Sequence, residues 1–254
     1  MTGLTSESLL LPLIVFCRVG ACFMVLPGIA SARIPVQLRL FVSIAVALAI
    51  TPIVAGDVRP ATLMAPSDLL AVIVTETMAG LFLGFLVRIF FLALEFAATC
   101  MANFAGYGSV FSHAIEDNDP ASPFSAFVTL PAVALFFITD QHVNVVRMLQ
   151  ESYVGFKVGL PLATPPDLGM IVAAFGSAFK LTLRLSSALV IYSLIVNLAF
   201  GFLNKMVPQI PSYFVSTPFV VLGGLIVLLQ IDKTTLEIFT SLVTQTIQNL
   251  GRNG

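Results

Sequence analysis

Six apolar segments decide what this chain can fold into. They run Leu9–Ala30, Leu40–Ala55, Leu69–Val87, Phe124–Thr139, Leu185–Phe200 and Phe214–Ile231. A helix crossing a bilayer needs about 20 apolar residues, within a range of roughly 17–25. The first and third segments satisfy this and the last is borderline. The other three run for only 16 residues, about 24 Å at helical rise. Segments that short suit helical hairpins packed in protein, or a locally thinned bilayer. Composition closes off the soluble alternatives. Apolar residues make up 58% of the 254 and charged residues 10%, where soluble domains carry roughly 45–50% and about 25%. Too few polar residues remain to cover a soluble surface. Twelve Lys and Arg face thirteen Asp and Glu, which excludes the basic excess a nucleic-acid binder needs.

Two segments extend further than a bilayer requires. No proline interrupts the chain from Leu69 to about Phe104, or from Leu168 to about Leu203. Each helix would reach ~50 Å, beyond a ~30 Å hydrocarbon core. The first carries Glu76, Arg88 and Glu95, and the second Lys180 and Arg184. Arg18 interrupts the first apolar segment in the same way. A charge at mid-bilayer costs roughly 2.5–3.5 kcal/mol, so such residues should face protein, paired, or face water. Arg88 and Glu95 share a helix face, as do Lys180 and Arg184. For the last two, snorkelling at a helix end is the competing expectation.

Breakers mark the connections. Ser31–Pro35 is a tight link, Gly56–Pro66 joins the second and third segments, and the proline-rich stretch from Leu160 to Pro166 is the best internal boundary. Residues 167–254 then form a helical hairpin with a tail. In that tail Leu236, Phe239, Val243, Ile247 and Leu250 recur at three- and four-residue spacing, behind a capping-box match at Thr234 and Glu237. An amphipathic C-terminal helix lying on a partner or the membrane surface is expected. Gly80 and Gly84 could allow close helix packing, although that spacing is common in apolar sequence. The expected fold class is all-α: polytopic, membrane-associated helical hairpins with two long charged helices. The first segment is expected to be retained, because no basic n-region precedes it.

Catalytic signals are lacking. Cys17, Cys22 and Cys100 lie in apolar runs without metal or disulfide spacing. His113 stands near Glu116, Asp117 and Asp119, which reads as a solvated polar loop. No catalytic, cofactor-binding or metal site is expected. The stretch Asn103–Pro123 is more informative. Gly106 and Gly108 break the long helix there, and Phe104, Tyr107, Val110 and Phe111 make its first half apolar and aromatic. Irregular backbone at membrane depth is tolerated where it is buried in protein or lines a cavity. These features suit a pore-facing or gating loop.

These residues together resemble the FliR family of flagellar type III export-gate subunits, called SctT in virulence injectisomes. The resemblance rests on Arg18-Val-Gly with Pro27, Arg33-Ile-Pro35, Glu76 with Gly80 and Gly84, and Glu95 leading into the loop. It continues through Asp140-Gln-His142, Ser152-Tyr153 with Leu160-Pro161, Asn197, Gly201-Phe-Leu-Asn204, Val207-Pro-Gln209 and Pro218. Gln141 stands where the family usually has glycine, and Val143 where many members have a second histidine. The resemblance implies a non-enzymatic subunit of the bacterial inner membrane and the flagellum basal body. It implies assembly with FliP- and FliQ-like subunits, with an FlhB-like subunit around them, into a pore for unfolded export substrates. It further implies that residues 1–166 are organised like FliP, with a plug loop at 103–123, and residues 167–254 like FliQ. Arg18, Glu76, Arg88, Glu95, Lys180 and Arg184 would then be buried or assembly charges. The resemblance does not separate flagellum from injectisome. From a different class, a stand-alone proton-coupled transporter using Glu76 or Glu95 is the alternative; such carriers are often built from inverted repeats, and none is visible.

Overall fold

The computed structural model describes residues 6–31, 34–62, 65–107, 123–156, 158, 168–209 and 212–253. Among them every regular element is an α-helix. The helices are α1 (Ser6–Val25), α2 (Val36–Thr62), α3 (Pro66–Phe104), α4 (Pro123–Ile138), α5 (Gln141–Gly155), α6 (Leu168–Met206) and α7 (Ser212–Asn253). The two proline-free stretches become α3 and α6, each 39 residues long. By length and composition Val36–Thr62, Asp68–Phe104 and Gly169–Met206 can cross a membrane. The pair α4 and α5, bent by 66°, adds a fourth if it counts as one span, while the apolar parts of α1 and α7 are shorter.

Several expectations are corrected. The link at Gly56–Pro66 is shorter than breaker residues suggest, since α2 continues through Gly56 and Pro60 to Thr62. Val54, Val58 and Ala61 keep its buried stripe in register, and that packing outweighs helix propensity. Thr234 starts no helix, because α7 already runs through it from Ser212. The helix α5 was not expected, its residues being barely apolar on average; its buried positions Val145, Met148, Leu149, Ser152 and Tyr153 nevertheless keep helical spacing. The left-handed residue at the bend before it is Asp140, with φ 56°. Gln141 is helical, and its Oε1 accepts from Asn144 Nδ2 at 3.2 Å. The backbone at position 141 therefore requires no glycine.

The chain divides into two compact units that interleave along the sequence. The first comprises Met1–Phe90, Phe136–Phe175 and Leu242–Gly254. Its core joins Val15, Val19 and Cys22 of α1, and Leu26 just past it, with Ala47, Ile50, Val54 and Val58 of α2 and Ala79, Leu83 and Leu86 of α3. Gly80 and Gly84 let two main chains approach. A Cβ at Gly80 would overlap the Arg18 carbonyl, and one at Gly84 would lie 2.7 Å from the Cys22 oxygen. The link into α2 is held by Arg39, whose Nη2 donates to the carbonyls of Ser31 at 2.6 Å and Ile34 at 2.8 Å.

The second unit comprises Phe91–Leu135 and Gly176–Ser241. Ala98 and Met101 of α3, and Ala105 just past its end, pack with Leu189 of α6, joined by Val128, Val227 and Leu228. The Thr182 hydroxyl donates to the Ala93 carbonyl at 3.0 Å. Phe91 meets Phe239 edge to face with centroids 5.0 Å apart.

Candidate functional site

In the first unit, α1 brings a charge into an apolar core because Arg18 shares the face of Ile14, Val15, Val19 and Cys22. Its guanidinium is 1% exposed, and the Glu76 carboxylate opposite it on α3 is 2% exposed. Nε donates to Oε2 at 2.7 Å and Nη2 to Oε1 at 2.8 Å, the two-pronged geometry in which Arg and carboxylate pair best. Two further N–H donors reach α5 and the residue that follows it. Nη1 donates to Ser152 Oγ at 2.9 Å, and Nη2 to the Phe156 carbonyl, just past α5, at 2.9 Å. The Ser152 hydroxyl in turn donates to the Leu149 carbonyl at 2.7 Å. The Tyr153 ring lies under the guanidinium, with Cζ 3.8 Å from its centroid. One positive and one negative charge are thus neutralised, hydrogen-bonded and faced by an aromatic ring. The arrangement can fix α1, α3 and α5 in register. Both carboxylate oxygens accept from the guanidinium, so Glu76 is tied up in a pair and not held free for proton transfer.

In the second unit, α3 ends at the root of the loop singled out in the sequence. Gly106 takes φ 82°, a region costly for side chains. Its N–H bonds the Asn103 carbonyl at 3.2 Å, and the Tyr107 N–H bonds Ala102 at 2.9 Å, the paired closure that ends helices at a left-handed glycine. A Cβ at Gly106 would meet Val220 Cγ1 at 3.1 Å and Val221 Cγ2 at 3.3 Å. The Tyr107 hydroxyl donates to the Val221 carbonyl at 3.1 Å, fastening the root to α7. Nearby, a Cβ at Gly224 would stand 2.9 Å from the Ala105 Cα. Phe104 is exposed. Gly108, Val110 and Phe111 lie outside the described residues, as do His113, Glu116, Asp117 and Asp119.

The other charges are not brought into either place. Arg88, Lys180 and Arg184 are exposed and Glu95 half-buried within the single chain. In sequence Lys180 and Arg184 look much like Arg18, charges within apolar runs. Ser152, Tyr153 and the Phe156 carbonyl carry no polar motif that would have marked them as partners of Arg18. Tyr192, which donates to the Phe219 carbonyl, was likewise unmarked. Among the described residues no three His, Cys, Asp or Glu side chains gather where they could hold a metal.

A family model described as bacterial export proteins, family 1, matches residues 9–246. A flagellar biosynthetic protein FliR from Caulobacter vibrioides is 27% identical over 217 residues, covering 84% of each chain. A protein of the same name from Aquifex aeolicus is 26% identical, over 90% of this chain and 88% of its own. The Yop proteins translocation protein T of Yersinia pestis is 24% identical, over 85% of this chain and 81% of its own.

Proposed function

Because the chain belongs to the bacterial export proteins, family 1, we propose that it is a non-enzymatic subunit of the flagellar type III protein export gate. The observation that carries this reading is the family match across nearly the whole chain, 9–246, together with flagellar relatives aligned over 84–90% of it. In this reading it assembles in the bacterial inner membrane with FliP- and FliQ-like subunits, surrounded by an FlhB-like one. The assembly forms a pore for unfolded flagellar proteins. Residues 1–166 take the FliP-like role and 167–254 the FliQ-like role. The loop 103–123 plugs the pore, and its root at Gly106 and Tyr107 is anchored to α7, which suits a closure that must be tethered. The Arg18–Glu76 pair stands against Glu76 as the proton carrier of the transporter alternative, since that carboxylate is already committed to a guanidinium; it does not bear on Glu95. The injectisome reading keeps support from the Yersinia relative.

The test is deletion of the gene in its own bacterium. Flagellar filament and hook proteins should vanish from the medium while remaining in the cell, and the tagged chain should purify in mild detergent with FliP- and FliQ-like subunits. Normal filaments in the deletion strain, with export of virulence proteins lost instead, would move the assignment to an injectisome. Purification without any such subunits would overturn both readings.

A further inference from the structure

We propose that the outward face of α6 at Lys180 and Arg184 is a docking surface for an apolar helix of a partner subunit that presents carboxylates about one turn apart. The inference rests on the assembly reading above and names a contact within it.

The helix is two-faced over this stretch. Ala178, Leu181, Leu185 and Leu189 are buried, as is Thr182 with its hydroxyl on Ala93. The opposite face carries Phe179, Lys180, Leu183 and Arg184, all exposed. Nothing meets a Cβ placed at Gly176, one turn before Lys180. Two cations four residues apart stand about 5–6 Å from each other on a helix surface. Among the described residues neither joins an ion pair; the one pair found is Arg18 with Glu76.

Three surroundings could receive these cations: water, lipid headgroups or a partner. The apolar side chains around them decide. Before the cations, Val172, Phe175 and Phe179 are each more than half exposed; after them, Ile191, Leu194 and Ile195 are too. Cations at headgroup level would leave one of these apolar stretches standing in water. With both stretches in lipid, the cations would lie inside the hydrocarbon, where charge is strongly disfavoured. Gly169–Met206 is 38 residues long, about 57 Å, against a ~30 Å core, so lipid cannot cover the whole face. A protein helix can cover all of it. It must be apolar to match the phenylalanines and carry acid to match Lys180 and Arg184, with the Arg fork suited to a carboxylate taken by two hydrogen bonds.

The test uses the tagged full-length chain in its own bacterium, purified in mild detergent. The double variant K180E/R184E should lower recovery of one membrane partner about tenfold or more, a change worth ~1.4 kcal/mol per decade. An acid-to-lysine change in a transmembrane helix of that partner, selected as a suppressor of lost export, should restore it. Should the charge-reversed chain fail to accumulate, the neutral K180Q/R184Q chain is measured in its place and should lose the same partner. Unchanged partner recovery in an accumulating variant overturns the inference. So does a loss that added phosphatidylglycerol or cardiolipin repairs, which would make the surface a lipid site. Failure of the wild-type chain to bring any membrane subunit counts against the proposed function, and is distinguishable from both.

Discussion

Arg18 has five N–H donors, and four reach a carboxylate, a hydroxyl and a carbonyl on two other segments. Removing one partner of such a pair leaves the other buried and uncompensated, at about 3–5 kcal/mol. Arg18→Ala or Glu76→Ala should therefore deplete the chain from the membrane fraction, read by immunoblot and by thermal stability in detergent. Replacing both with leucine should be milder than either single change, because well-packed apolar residues can stand in for a buried pair. Tyr153 separates ring from hydroxyl. Its hydroxyl has no partner among the described residues, whereas its ring faces the guanidinium. Tyr153→Phe should leave stability within about 0.5 kcal/mol of wild type, and Tyr153→Ala should lower it by about 3–5 kcal/mol, both followed by thermal denaturation of the purified chain. The sequence displayed Arg18 and Glu76 as charges among apolar residues, since their cost in such surroundings is general. It did not display their partnership with Ser152 and Phe156, which depends on how α5 is placed. Nor did it separate Arg18 from Arg184, because burial is a property of the folded face and not of the neighbouring letters.

At the scale of elements, the long helices were the most legible feature: an apolar run without proline leaves the backbone little alternative. The shorter pieces were less so. Breakers at Gly56 and Pro60 suggested a loop where α2 continues, because packing holds them in the helix. The bend before α5 depends on one left-handed residue, Asp140, and no turn signal announces it. Gly106 was legible as a helix end, for the reason that also makes it testable. A side chain there meets both a left-handed backbone and the valines of α7. Gly106→Val should cost at least about 1–2 kcal/mol locally and reduce export of flagellar proteins, while Tyr107→Phe, which removes the hydroxyl bonded to Val221 but keeps the ring, should act more weakly. Secretion assays on both variants check the order; equal export by Gly106→Val and wild type would count against the root as a functional joint.

For the whole molecule, the apolar windows of α2 and α6 are each 22% buried within the chain, and that of α3 is 56% buried. Much apolar surface is left to lipid or to other subunits. Produced without partners, the chain should be degraded or aggregate, as judged by protease resistance and size-exclusion profile in detergent. A monodisperse, protease-resistant monomer would contradict obligate assembly. The ion pair also imposes an order of events on the ribosome. Arg18 is made 58 residues before Glu76 and 134 before Ser152. At roughly 5–20 residues per second, the guanidinium waits ~3–12 s for its carboxylate. During that interval α1 is a poor candidate for release into the bilayer by itself. Its passage from the insertion machinery is best completed together with α3, so a ribosome stalled before Glu76 should leave the first helix extractable by alkali, and one stalled after α3 should not.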